Sequence, residues 1–303
     1  MSNIEYFCPV LTMLKEDMSV DFDSMHKNYD RLIEAGINGL VLLGSSGEFY
    51  AFDKMTIIDI AKDAIDYIDK RVPIIVGTGR LSAIETIEVS NEVLKLGADS
   101  VIIVGPYYIQ ASQEGIYKYF DSIASEIKGD IYIYNYPENV GYDISENVLK
   151  KLIEKHKNIV GLKDTVPTAT HTENLIVKIK SVYPNFKIYT GYDNNIVSIA
   201  TSGGNGCIGA LSNIIPKICS GIAKDLNDKD AKGIINKKRM IDKLMEFYSI
   251  SIPFMPAMKY LLELNGYANT SKCFYPAIDL DENQKNAVER YKNFTKIVDL
   301  DIK

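Results

Sequence analysis

Long hydrophobic runs are what this chain most plainly lacks. No apolar stretch approaches the roughly 20 residues that a bilayer-spanning helix needs, and no basic region followed by an apolar core marks the amino terminus. Neither a membrane protein nor a secreted one is expected. Basic clusters are missing too: the net charge is -6 with Lys and Arg dispersed, so nucleic acid is not an expected partner. Cysteine is scarce. The four (Cys8, Cys207, Cys219, Cys273) are scattered without close pairing, which suits thiols filling a core in a reducing cytoplasm. The three histidines, His26, His156 and His171, are not spaced three or four apart, so no metal is expected, and His156 and His171 read as surface residues among polar neighbours. Neither G-x-G-x-x-G after a first strand nor G-x-x-x-x-G-K-[ST] occurs, which leaves dinucleotide and P-loop readings unsupported.

What is present is a regular alternation. Within 303 residues, 46% hydrophobic and 24% charged, short apolar runs recur at residues 5–11, 39–43, 72–76, 100–104, 131–134, 159–162, 187–189 and 206–208. Amphipathic stretches separate most of them, at 22–35, 53–69, 82–96, 113–127, 145–155, 170–182 and 195–201, with Gly36 and Gly97 as stops. Runs apolar on both faces belong to parallel sheets covered on both sides. An open doubly wound sheet is possible, but eight βα repeats in about 225 residues fit a closed (β/α)₈ TIM barrel of the α/β class better. Beyond residue 225 the strand runs cease and helical patterns take over at 231–250, 255–264 and 281–298. The expected organisation is therefore a catalytic barrel over 1–225 and a docked helical domain over 226–303.

One octapeptide carries the chemistry: Asn158-Ile159-Val160-Gly161-Leu162-Lys163-Asp164-Thr165. An apolar strand here ends by delivering an ammonium group, which is costly to bury unless it is paired, neutral or chemically used. A desolvated, neutral lysine is what Schiff-base chemistry with a ketone requires. The plainer alternative is a lysine that marks where the strand surfaces and pairs with Asp164. Barrel active sites lie at the C-terminal strand ends, so the other ends test the idea. They carry Gly44-Ser45-Ser46-Gly47-Glu48, Gly105-Pro106-Tyr107-Tyr108, Tyr134-Asn135-Tyr136-Pro137, Gly191-Tyr192-Asp193 and Ile208-Gly209. A lysine, tyrosines and serine hydroxyls thus converge on one rim, a coherent set for nucleophile, proton carrier and relay.

These motifs, in this order and spacing, resemble the pyruvate-dependent class I aldolases grouped as the dihydrodipicolinate synthase and N-acetylneuraminate lyase family. The resemblance covers essentially the whole barrel. It implies a helical C-terminal domain and assembly as a homotetramer of two tight dimers. It further implies Lys163 as the imine-forming lysine and Tyr134 as general acid/base. Ser45 and Tyr108 would form the proton relay, with Tyr108 reaching in from a neighbouring subunit. Ser46, beside Gly47, would hold the pyruvate carboxylate with backbone N–H groups. Gly191 and Ile208 would line the pocket, and Glu48 would be structural.

One departure bears on the substrate. The synthases carry an arginine two residues after the proline of the tyrosine-asparagine motif, and here that position is Asn139, preceded by Glu138. The cation that recognises aspartate semialdehyde is absent. Tyr134-Asn135-Tyr136-Pro137, Lys163-Asp164-Thr165 and Gly191-Tyr192-Asp193 look most like the 2-keto-3-deoxygluconate aldolase branch. Thr165, Tyr192, Asp193 and Asn139 are candidate partners for a hydroxylated chain. The expectation is a cofactor-free cytoplasmic lyase that reversibly splits a 2-keto-3-deoxy sugar acid into pyruvate and an aldehyde. Rival readings are a dihydrodipicolinate synthase, an N-acetylneuraminate lyase, and a non-catalytic barrel that binds a keto acid.

Overall fold

A computed structural model describes residues 3–300; residues 1–2 and 301–303, the outermost positions of the two expected regions, lie outside the described residues. Eight strands follow one another around a closed barrel. They are β1 (Glu5–Pro9), β2 (Gly39–Leu42), β3 (Ile74–Gly77), β4 (Ser100–Val104), β5 (Ile131–Asn135), β6 (Ile159–Asp164), β7 (Lys187–Thr190) and β8 (Gly206–Ile208). All neighbours pair in parallel, and β8 returns to β1 with Glu5 opposite Gly206. The strands are buried on both faces because side chains fill the barrel on one side and helices cover the other. β3 starts after Pro73, which has no N–H to donate to a ladder.

Local chemistry starts and stops the helices where the sequence places polar caps. Asp53, Ser82, Ser112 and Ser145 each accept a hydrogen bond from the backbone N–H three residues on. A short helix not anticipated from periodicity, Pro137–Val140, follows β5. Four residues are too few for a period to be legible, but Pro at its start and Gly141 in the left-handed region after it are the ordinary punctuation.

The helix Pro216–Asp228 runs through position 225 and packs between β1 and the helix Ala231–Leu244. A 3₁₀ turn, Met245–Ser249, ends that helical stretch, and Met255–Leu264 and Glu282–Leu300 complete the C-terminal part. Hydrogen bonds tie this part to the first βα unit. Asn28 Nδ2 donates to the Tyr267 carbonyl at 2.9 Å, Asn269 Nδ2 to Asp21 at 2.8 Å, and Thr270 Oγ1 to the Leu14 carbonyl at 2.7 Å. Among the described residues no helix is long and apolar enough to cross a membrane.

Barrel closure depends on a glycine. Gly206 has φ +127°, and a Cβ there would sit 1.9 Å from the Glu5 carbonyl oxygen across the β1–β8 seam. Gly206→Ala should therefore cost upwards of about 2 kcal/mol, combining backbone strain with a clash that only movement of β1 relieves. Urea unfolding checks this; a midpoint equal to that of the parent would show that the seam tolerates a side chain.

Candidate active site

The reacting geometry is set by one irregularity. β5 and β6 pair Ile131 with Ile159 but Tyr132 with Gly161, so Val160 is an extra residue on β6. A bulge of this kind changes which side chains face the same side beyond it. Tyr134 consequently lies opposite Lys163 instead of Leu162, and Asn135 lies opposite Asp164. Tyr134 and Lys163 both point into a cavity of about 350 Å³ at the C-terminal mouth of the barrel. Each is only 6% exposed. Lys163 Nζ stands 4.4 Å from the centre of the Tyr134 ring, and the Tyr134 hydroxyl is 3.5 Å from Ser45 Oγ. Tyr136 stacks beside Tyr134 with ring centres 5.8 Å apart.

Asp164 is not the partner of Lys163. Its buried carboxylate points to the outside of the barrel, where Asn135 Nδ2 (2.7 Å), Thr172 Oγ1 (2.5 Å) and His171 Nδ1 (2.9 Å) donate to it. Asn135 Nδ2 also reaches Asp143 at 2.7 Å, and the Ile144 N–H donates to Asn135 Oδ1. His171 Nε2 lies 3.0 Å from Asp143. This network cross-links β5, β6 and the segment leading to the helix Glu146–Lys155, on the face opposite the cavity. Hydrogen bonds to Asp143 and then Asp164 push the His171 pKa up to about 10, against burial. Burial opposes ionisation of Asp143, yet its bonds from His171 and Asn135 hold it below the usual carboxylate range.

The surface reading of two histidines is thus corrected. His171 is half-buried between two carboxylates, and His156 is buried with Nε2 2.6 Å from Asp121. Their polar neighbourhood in sequence reflects the partners they find in space.

The turn after β2 supplies the opposite wall. Ser45 and Ser46 line the cavity, and among the described residues their N–H groups meet no protein acceptor. The Gly47 N–H is used within the turn, on the Gly44 carbonyl. Gly47 itself is buried and does not line this cavity; a Cβ there would sit 3.0 Å from the Leu43 nitrogen and the Val10 carbonyl oxygen, and Thr12 Oγ1 donates to its carbonyl. Two free N–H groups and a hydroxyl form a cradle suited to a small carboxylate.

Thr165, Gly191 and Ile208 lie around the same cavity. A Cβ on Gly191 would sit 1.9 Å from Thr165 Oγ1, so the glycine is what leaves room for that hydroxyl. Thr165 Oγ1 is buried and has no hydrogen-bond partner. An unsatisfied buried hydroxyl costs about 1–3 kcal/mol.

Other candidates fall elsewhere. Asn139 is exposed on the short helix after β5 and does not line the cavity. Its neighbour Glu138 accepts a 3.1 Å hydrogen bond from the Tyr192 hydroxyl, and Tyr192 does line it. Burial, then the bond to Glu138, pushes the Tyr192 phenol up to about 12. Asp193 borders the cavity but its oxygens are taken by the Tyr6 and Tyr248 hydroxyls and the Leu211 N–H, and burial pushes its carboxyl up. It is therefore not a free partner for a sugar chain. Tyr108 is 89% exposed, in the left-handed region at φ +74°, and away from its own cavity.

Sequence reasoning missed one wall altogether. Met245, Tyr248 and Phe254 close the cavity from the C-terminal part. Motifs at strand ends carry no signal for residues that arrive from a segment beyond the last strand.

Comparison with known proteins follows the same lines. A model described as the Dihydrodipicolinate synthetase family matches residues 4–293. YagE of Escherichia coli K12, provisionally assigned as a 2-dehydro-3-deoxy-D-gluconate aldolase, is 32% identical over 91% of this chain and 92% of its own. The crystal structure of YagE in complex with pyruvate superposes with a TM-score of 0.92 at 31% identity, covering 98% of this chain and 99% of that one. YjhH of the same organism, provisionally a 2-dehydro-3-deoxy-D-pentonate aldolase, is 29% identical over 92% of this chain and 93% of its own. A 4-hydroxy-tetrahydrodipicolinate synthase of Kosmotoga olearia is 38% identical over 68% of this chain and 70% of its own.

The histidine clamp makes a pH-dependent expectation. His171 is protonated more readily folded than unfolded, so its contribution is complete below the unfolded value near 6.5 and is lost as pH rises through about 10. His171→Gln should lower stability most at pH 6, and the gap to wild type should narrow steadily towards pH 10. Denaturant unfolding across that range tests it; a constant gap would mean that no proton is held between the carboxylates.

Proposed function

The chain belongs to the dihydrodipicolinate synthetase family, and from that premise we propose that it is a Schiff-base aldolase that reversibly cleaves a 2-keto-3-deoxy sugar acid to pyruvate and an aldehyde. The observation that carries the reading is Lys163. It is a buried primary amine, without an ion-pair partner among the described residues, beside a phenol and a serine hydroxyl in one cavity.

The cycle uses these groups in turn. Neutral Lys163 Nζ attacks the C2 ketone, and the Tyr134 phenol gives its proton to the departing carbinolamine hydroxyl, so that water leaves, the imine stays protonated and Tyr134 becomes a phenolate. The substrate carboxylate rests on Ser46 and the two free N–H groups of its turn. The Tyr134 phenolate then takes the proton of the C4 hydroxyl while the C3–C4 bond breaks, and the electron pair moves into the imine as an enamine. The aldehyde leaves, C3 takes a proton from the Tyr134 phenol, and water hydrolyses the protonated pyruvate imine to free neutral Lys163, the released proton returning to Tyr134. Ser45, at hydrogen-bonding reach of Tyr134, passes the proton onward.

The far end of the cavity supports an uncharged, hydroxylated aldehyde. Thr165 Oγ1 is unsatisfied, Tyr136 and Tyr192 bring phenols, and Met245 and Phe254 add apolar walls. Lys163 is the only cationic side chain lining the cavity among the described residues, and Glu138 stands against Tyr192 near the mouth. A second carboxylate or a phosphate has no cation to meet. This argues for a free sugar acid over a phosphorylated one, and for a sugar acid over aspartate semialdehyde.

The same reading extends to assembly and compartment. Exposed Tyr108 and Ile109 after β4, with exposed Leu81 and Ile84 after the adjacent β3, support a dimer in which Tyr108 completes a neighbouring copy's relay, and a tetramer built from two such dimers. All four cysteines are free, which agrees with a cytoplasmic protein. The division into a catalytic barrel (1–225) and a helical domain (226–303) is part of this proposal, with the C-terminal part supplying one wall of the site.

Two measurements test the chemistry. Lys163→Ala should abolish the adduct that borohydride traps with pyruvate, read by intact mass, and Tyr134→Phe should lower turnover by roughly 10²–10⁴ with folding retained. Trapping at another lysine in the first variant, or near-normal turnover in the second, would overturn the assignments.

Substrate choice is tested by kcat/KM side by side. A missing charged hydrogen bond, worth about 1.5–3 kcal/mol, corresponds to roughly ten- to a hundredfold against aspartate semialdehyde. Cleavage of 2-keto-3-deoxygluconate or its galacto epimer should exceed condensation of the semialdehyde. A wild-type preference for the semialdehyde would establish the synthase reading instead.

A further inference from the structure

Among the described residues, the one ion pair with both side chains at zero exposure lies behind the turn after β2. Lys259, on the helix Met255–Leu264, donates to Glu48 Oε2, and both side chains are completely buried. The Phe274 N–H donates to Glu48 Oε1 at 2.7 Å, and Lys259 Nζ also donates to the Lys272 carbonyl at 2.7 Å. Both carboxylate oxygens are therefore held by the C-terminal part. Phe274 adds an edge-to-face contact with Phe52, ring centres 5.1 Å apart.

The turn so gripped is unusual in its backbone. Leu43 enters it at φ +54° and Glu48 leaves it at φ +55°, both left-handed and neither glycine. Such conformations persist only where surrounding contacts over-determine them. Between the two lie Ser45, at 3.5 Å from the Tyr134 hydroxyl, and Ser46, which lines the cavity. A buried ion pair is a poor way to add stability, since apolar packing of equal volume does as well or better. What it does supply is a contact of fixed length and direction.

We propose that Lys259 and Glu48 are positioning residues for the substrate carboxylate: the C-terminal helical part, acting through this pair, sets where Ser46 and the N–H groups of its turn stand relative to Lys163. The proposal rests on the reading of that turn as the carboxylate cradle. Neither residue touches substrate. Without the pair the turn relaxes from its left-handed ends, and a displacement of the cradle against Lys163 weakens capture of pyruvate while leaving the amine reactive.

The test separates capture from reactivity. Borohydride trapping is followed over a range of pyruvate concentrations, in wild type and in the double variant Glu48→Gln/Lys259→Met, which leaves no buried charge unpaired. The double variant should fold, shown by circular dichroism, and should still give the trapped adduct on Lys163 at saturating pyruvate. Its half-saturating pyruvate concentration should rise by roughly tenfold, the worth of one charged hydrogen bond. An unchanged half-saturation in the folded variant would make the pair purely structural.

Wild-type protein carries an independent arm that does not depend on the variant folding. Coupling is reciprocal, so saturating pyruvate should slow hydrogen exchange of the Phe274 amide, whose acceptor is Glu48. Exchange there that ignores pyruvate would overturn the proposal. Absence of any pyruvate adduct on wild-type Lys163 would instead overturn the aldolase reading on which it stands.

Discussion

The site depends on keeping one primary amine out of water and within reach of a phenol. Lys163 and Tyr134 meet because β6 carries one residue more than β5 before they come into register. Had the strands paired without Val160 in excess, Leu162 would face Tyr134 and the amine would sit one position out of phase. A bulge is easily slipped, and the cross-links on the outer face oppose that slip. Asn135 and Asp164 are the next residues along the same strands, and they bond to each other across the pair. Thr172, His171 and Asp143 extend the grip to the flanking segments. Alternation along the strand thus divides the labour: inward residues line the cavity, and their outward neighbours hold the register.

A second constraint runs through the C-terminal part. It does more than cover the barrel. Met245, Tyr248 and Phe254 close one side of the cavity, Tyr248 shares Asp193 with Tyr6 of β1, and Lys259 grips Glu48. Four residues distant in sequence from every strand-end motif therefore shape the space that the motifs surround. Asp193 illustrates the consequence. Its position after β7 suggests a ligand for a sugar hydroxyl, whereas its surroundings make it a brace between β1 and the C-terminal segment.

Electrostatics bears on the choice among chemically related substrates. The cavity offers one amine, several hydroxyls and an apolar wall, with Glu138 held by Tyr192. In the proposed reaction one carboxylate rests at the turn after β2, and among the described residues no second cation lines the cavity for another anion. Burying an anion without a donor or cation is costly, so on the proposed reaction the distal half of the substrate is selected by what the wall omits as much as by what it presents.

The barrel was legible in the sequence because its signals are local. Apolar runs such as 39–43 and 100–104, punctuated by Gly36, Gly97 and capping serines, require nothing beyond neighbours to read. Lys163 was legible for the same reason, since an amine ending an apolar strand is anomalous wherever it lies, and the family resemblance attached roles to it, to Tyr134 and to Ser46. Tertiary structure decided what no local pattern encodes. It turned Asp164 away from Lys163, buried His156 and set His171 between two carboxylates. It left Thr165 Oγ1 unsatisfied across from Gly191, placed Asn139 outside the cavity, and put Lys259 behind Glu48. Each of these concerns which polar groups meet across large separations in the chain. Hydrophobic periodicity specifies a face, whereas a hydrogen bond needs a particular partner at a particular distance and angle, and only the folded chain supplies both.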